Sequence, residues 1–194
     1  RQMCIRDRCQ YDQSQVTANS TSIPVTLLST PLCIDPKGNE GLNPQKTEPT
    51  NPLYSLDKQQ SSLVYYDKNT IVLTMPYWVK VTNSSVEDSE VKKHSFVLSY
   101  DPEAMTASDT KLKLYISHVV EDAGETVTRS NFTYAYRAYS IRAALAAFKE
   151  KTGKLPKYLE LTAEINNSKD ELVDKDGKET SVERSVEYDY AFTE

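Results

Sequence analysis

His94 and His118 are the only histidines in this 194-residue chain. Two imidazoles meeting across neighbouring strands could hold a metal or act as a base, because imidazole ligates metals and titrates near neutrality. Their settings point to something plainer. His94 follows Lys92-Lys93 at the start of a strand-like run, which suggests an exposed ring. His118 shares the parity of Leu112, Leu114 and Ile116 but lies near the strand's end, where that parity is a weaker guide. No third ligand sits at the near-neighbour spacing a zinc site wants, so no metal is expected. A nucleophilic serine or cysteine would need one of these histidines as its base. No serine lies in a G-x-S-x-G context, and Cys33, close behind Pro31 at the end of an apolar run, reads as a small buried thiol.

Carboxylate pairs such as Asp101/Glu103 and Glu187/Asp189 are the remaining catalytic device in an acidic chain. They alternate with aromatic residues in the manner of a solvated sheet face. The segment DKDGKE at 174–179 fails the calcium-loop pattern, which needs an oxygen-bearing side chain where Leu172 stands. The five glycines never cluster at a phosphate-cradling spacing, so no nucleotide fingerprint is present and no cofactor is expected. No catalytic residues are assigned. The unusual feature is tyrosine: thirteen, against four phenylalanines and one tryptophan. Tyrosine joins an apolar ring to a polar tip and suits a contact surface, including stacking on sugars. Tyr77, Trp78, Tyr134 and Tyr136 are therefore the candidate binding residues, for a protein or a glycan surface.

The elements carrying these residues are mostly strands. Leu63–Tyr66 reads as a strand; another starts at Ile71, is broken or edged by Pro76, and resumes at Trp78–Val81. Phe96, Leu98 and Tyr100 alternate, as do Leu112, Leu114 and Ile116, and Phe132, Tyr134, Tyr136 and Ala138. This period of two marks half-buried strands. One stretch departs from it. Ile141, Leu145 and Phe148 recur at helical spacing, with Ser140 placed to cap the start and Gly153 the exit, which predicts a helix over 141–151. Beyond it, Leu159, Leu161, Ala163 and Ile165 form one apolar row and Val186, Tyr188, Tyr190 and Phe192 another. A two-residue turn at Asp176-Gly177 would pair Leu161 with Phe192, Ala163 with Tyr190 and Ile165 with Tyr188. The expected fold is mainly β: an antiparallel β-sandwich or curled sheet with one short packed α-helix.

The opening octet RQMCIRDR holds three arginines and resembles the conceptual translation of a sequencing adapter, so residues 1–8 are read as non-native. Residues 9–62, polar and proline-rich towards their end, read as an extended region and linker, and 63–194 as the β-rich domain. The net charge of -5, without a basic cluster, disfavours nucleic acid as a partner. No run is long and apolar enough to span a membrane. Together these features suggest a non-catalytic structural or adhesion module of an exported or cell-surface protein, whose export signal would precede residue 9. A phage virion protein and a carbohydrate-binding accessory domain of a surface enzyme are the alternatives.

Overall fold

The computed structural model describes residues 5–6, 9–28, 32–33, 42–49, 51–124, 127–167 and 181–192. Four two-residue strands form two small ladders near the start of the chain: β1 (Ile5–Arg6) with β4 (Leu32–Cys33), and β2 (Cys9–Gln10) with β3 (Thr26–Leu27). The body is mainly β. A three-stranded sheet runs in the order β5 (Ser62–Asp67), β6 (Thr70–Val79), β9 (Asn131–Ser140). A four-stranded sheet is built from β7 (His94–Ser99), β8 (Lys111–Val120), β10 (Tyr158–Ile165) and β11 (Val182–Asp189), in the order β11-β10-β8-β7.

Alternation decides what lies between the sheets. Ile71, Leu73, Met75, Tyr77 and Val79 of β6 share one core with Phe96 and Leu98 of β7, with Leu112, Leu114 and Ile116 of β8, and with Leu159, Leu161, Ala163 and Ile165 of β10. Helix α1 (Asp88–Val91) is a single turn; α2 (Arg142–Thr152) adds Ala144, Leu145 and Phe148 to that core. α2 also explains why β10 pairs with β8 in parallel. β9 and the helix intervene between β8 and β10, so the chain re-enters the sheet in the same direction.

Several local expectations change. Helix α2 starts one residue later than its spacing suggests, with Ile141 at the N-cap and no side-chain cap bond. Ser140 stays in β9 opposite Thr70, while the Ile141 N–H donates to Asn69 O at 2.7 Å. Gly153 does close the helix, at φ 74, in the left-handed region that glycine adopts without a Cβ penalty. Pro76 does not interrupt β6. In an antiparallel strand the N–H and C=O of one residue point to the same side. The Pro76 carbonyl accepts from the Tyr54 N–H at 3.0 Å, so its missing N–H faces the side where β5 has already ended, not β9.

The β10–β11 pair is antiparallel as expected, but Leu161 faces Val186, Ala163 faces Arg184 and Ile165 faces Val182. The Tyr190 N–H, donating to Lys157 O at 2.8 Å, anchors this register. The slip from the two-residue-turn pairing is even-numbered, so the same side chains still face the core. Asp176-Gly177 lies outside the described residues.

The proline-rich stretch read as linker takes part in the core. Leu42, Leu53 and Leu56 are buried there. Leu53 sews the sheets together: its N–H donates to Glu164 O at 2.9 Å and its carbonyl accepts from Asn166 N at 2.9 Å, while it also bridges Tyr77.

Tyrosine does the same work at the sides of the sandwich. Where β5 meets β11, Tyr65 Oη donates to Asp189 O at 2.9 Å, Tyr188 Oη to Ser61 O at 3.2 Å and Tyr190 Oη to Lys68 O at 2.8 Å. On the opposite side Tyr139 Oη donates to Phe96 O at 2.9 Å. Each bond crosses from one sheet to the other. Replacing Tyr139 or Tyr190 by Phe keeps the ring and removes only the donor. Each variant should lose about 0.5–1.5 kcal/mol of unfolding free energy in urea titrations.

Candidate functional site

β7 and β8 are neighbours, and the parity of each turns a histidine inwards. Phe96 faces His118 across the ladder, and His94 sits diagonally next to it. The rings stack at 5.1 Å and His94 Nδ1 lies 2.8 Å from His118 Nε2. Both residues are buried, at 5% and 2% exposure, so the expectation of an exposed His94 is corrected. The lysines before it point elsewhere because β7 starts at His94 itself. Tyr77 of β6 and Phe96 complete an aromatic box around the pair, with centroids 4.8–5.6 Å from the histidine rings.

The outer nitrogen of each ring has a partner. His118 Nδ1 is 3.2 Å from Pro52 O, and His94 Nε2 is 3.2 Å from Glu90 Oε1. Glu90, on α1, also accepts from the Lys80 N–H at 2.9 Å and from Arg129 Nε at 2.7 Å. Arg129 then grips Asp122 with both terminal nitrogens at 2.7 Å, and Lys93 reaches the same carboxylate at 3.4 Å. Bidentate pairing of this kind is the strong form of the arginine–carboxylate contact.

The electrostatics follow from this geometry. Burial pushes the His118 imidazole down to about 3, and His94 beside it adds to the effect. Burial pushes His94 down as well, against the pull of Glu90. Burial alone would raise Glu90, but the Lys80 N–H and the Arg129 guanidinium hold it below the usual carboxylate range. Asp122 is held low chiefly by its bonds to Arg129. The cluster has no room for a metal between the rings, which already touch through one hydrogen bond. Among the described residues no group of three His, Cys, Asp or Glu is arranged to hold one.

The four candidate binding residues divide between two faces. Tyr77 is 2% exposed and belongs to the histidine box. Trp78 points to the outer face of the three-stranded sheet, where its indole N–H donates to Asn166 O at 2.7 Å and Tyr54 covers it edge-on at 5.0 Å. Tyr134 lies on that same outer face, 40% exposed. Tyr136 is half-buried over Val72 and Ala138. Two rings beyond the sequence candidates complete the patch: Phe132, 42% exposed, stacks on Tyr54 at 4.2 Å and meets Tyr134 edge-on at 5.9 Å.

The cross-strand rows of this outer face are Ser62–Thr74–Tyr136, Val64–Val72–Ala138, Asp67–Thr70–Ser140, Pro76–Tyr134 and Trp78–Phe132. Asp67, at the end of the sheet away from Trp78 and Phe132, is the one charged side chain in these rows. The outer face of the other sheet carries Glu160, Glu187 and Lys111 within one ion-paired group, and Glu183 paired with Lys46.

These features define a mainly β, two-sheet domain with a buried imidazole–carboxylate–guanidinium chain and one charge-poor aromatic sheet face. No protein-family profile matches the chain, and no curated protein matches it. Among solved structures it is similar to a lipoprotein candidate from Bacteroides fragilis, with 27% identity and a TM-score of 0.69, covering 98% of this chain and 82% of that one. An uncharacterised protein from Parabacteroides merdae, 14% identical with a TM-score of 0.54 and the same two coverages, shares the fold. So does a Bacteroides vulgatus protein of unknown function, 10% identical with a TM-score of 0.50, covering 97% of this chain and 71% of that one. Among the described residues no helix is long and apolar enough to cross a membrane.

Proposed function

We propose that this chain is a non-catalytic structural or adhesion module of an exported, cell-surface protein, and that its charge-poor aromatic sheet face contacts a neutral glycan. The observation that carries the contact is the scarcity of charge across the β5-β6-β9 outer face, where Asp67 at the far end is the one charged member of the cross-strand rows, in a chain that is 26% charged. Such a face offers little to an ionic partner. It does offer Phe132 and Tyr134 as exposed rings backed by Tyr54, with the Ser62 hydroxyl, which donates to Thr74, further along the same face. Rings of this kind pack against the C–H faces of sugars while hydroxyls bond the rim. The surface assignment draws on the likeness to the B. fragilis lipoprotein candidate over nearly the whole chain.

Binding to a panel of immobilised neutral polysaccharides tests the contact. At least one should be retained by the wild-type chain and released at least tenfold more readily by Phe132→Ala/Tyr134→Ala. Because both rings are substantially exposed, the double variant should stay folded. Failure of every neutral polysaccharide, or equal retention of the variant, would reject the glycan reading. Protease shaving of intact cells tests the surface placement separately.

A further inference from the structure

We propose that the His94–His118 pair is a proton-operated latch for residues 51–54, which lie across it: the pair accepts one proton while closed, and a second proton separates the rings and frees the strap. Counting hydrogens carries the proposal. Three contacts run in series: Pro52 O to His118 Nδ1, His118 Nε2 to His94 Nδ1, and His94 Nε2 to Glu90 Oε1. The carbonyl and the carboxylate at the ends only accept, so each contact needs one hydrogen on an imidazole nitrogen. Two neutral imidazoles supply two. The vacancy then falls at Pro52, at Glu90 or between the two rings, depending on which nitrogens carry the hydrogens.

One added proton fills the vacancy and completes the series. A second has nowhere to go except between His94 Nδ1 and His118 Nε2, where it would place two N–H groups head to head at 2.8 Å.

The surrounding charges favour the first proton over the second. From α1, Glu90 faces His94; beyond it stand Arg129, Asp122 and Lys93 in a bonded row. On the β6 side the facing group is the Tyr77 phenol, and on β9 the Arg137 guanidinium lies 5.3 Å from the Phe96 ring that stacks on His118. Among the described residues a single carboxylate therefore touches the rings, and the nearby cations oppose further charge. The strap responds because its own bonds converge on His118: the Asn51 N–H donates to His118 O at 3.3 Å, and Pro52 O meets the ring. The next residues, Leu53 and Tyr54, then hydrogen-bond to β10 and β6.

The test is a pH series on the whole chain, following histidine ¹⁵N shifts and amide hydrogen exchange together. The expected result is one proton taken up at His94 while His118 stays neutral. On further acidification His118 titrates and protection of the Leu53 and Tyr54 amides falls at least tenfold relative to Leu114 and Leu161. His118→Asn should remove the second step and leave strap protection independent of pH relative to the core. Independent titration of both rings near the ordinary imidazole range would overturn the proposal. So would loss of strap and core protection in a single step.

Discussion

Lowering the pH from 6.5 to 4.5 should weaken the fold steadily, by about 1 kcal/mol or more of unfolding free energy per pH unit, with the histidines setting the slope in the upper half of the interval. The sign comes from His118. Its folded value of about 3 lies below the roughly 6.5 of an imidazole in the unfolded chain. Its contribution is thus fully present above 6.5 and is lost as the pH falls towards 3, because the unfolded chain then binds the proton that the folded chain refuses. At about 1.4 kcal/mol per unit of displacement, the whole window is worth roughly 4–5 kcal/mol. The ring is 2% exposed, so solvent does little to screen the effect. His94 is also lowered and acts in the same direction over the upper part of the window.

Glu90 and Asp122 are lowered carboxylates, so their contributions are present above their unfolded values and vanish only below about pH 4.5. Nearer to about pH 4.5 these carboxylates, with Asp57 and Asp109, begin to add to the slope in the same direction; above about pH 5.5 the slope therefore belongs to the histidines. Urea titrations at half-unit steps would show it, and His118→Asn should at least halve the slope there. A flat wild-type profile across the interval would mean the imidazoles are hydrated in the folded state.

Much of this arrangement could be read from parity. His94 has the parity of Phe96, Leu98 and Tyr100, and His118 that of Leu112, Leu114 and Ile116, so two inward rows on pairable strands each carry an imidazole. The misleading signal was Lys92-Lys93, which suggests a wet strand start. Parity inside a strand outweighs the neighbours that precede it once the strand begins at the histidine. Glu90 and Arg129 were not legible in the same way. They are 39 positions apart and meet only because the single turn of α1 tucks a carboxylate beneath β6 and β7. Leu53 was hidden by its company: prolines and polar residues around it describe a linker, although its burial depends on a gap between β6 and β10 that appears only after both sheets form.

The tyrosines illustrate a different limit. Their number suggested a contact surface, whereas Tyr65, Tyr139, Tyr188 and Tyr190 use their hydroxyls to join one sheet to the other. A tyrosine on a strand carries the same pattern in both roles. Only the strand order separates them: β5 lies opposite β11 at one side of the sandwich, and β9 opposite β7 at the other.

Arg129→Ala should cost about 3–5 kcal/mol, the range expected when one partner is removed from a buried ionic network. Arg129 is 6% exposed, and its side chain stands between Glu90, 7% exposed, and Asp122, 18% exposed. In the wild-type chain the guanidinium offsets the desolvation of both anions and supplies three hydrogen bonds at 2.7 Å. Alanine leaves Glu90 with the Lys80 N–H and a histidine that carries no stable charge at neutral pH, and leaves Asp122 with Lys93 at 3.4 Å. The contribution of Arg129 is therefore mostly the penalty its absence exposes. A triple variant, Arg129→Met/Glu90→Gln/Asp122→Asn, removes the charges together and should recover at least half of the loss. Urea titrations of the two variants at pH 7 decide the point. Equal destabilisation would assign the effect to lost packing of the arginine stem rather than to stranded carboxylates. Recovery would identify charge balance as what holds α1 and the 122–129 connection against the end of the sandwich.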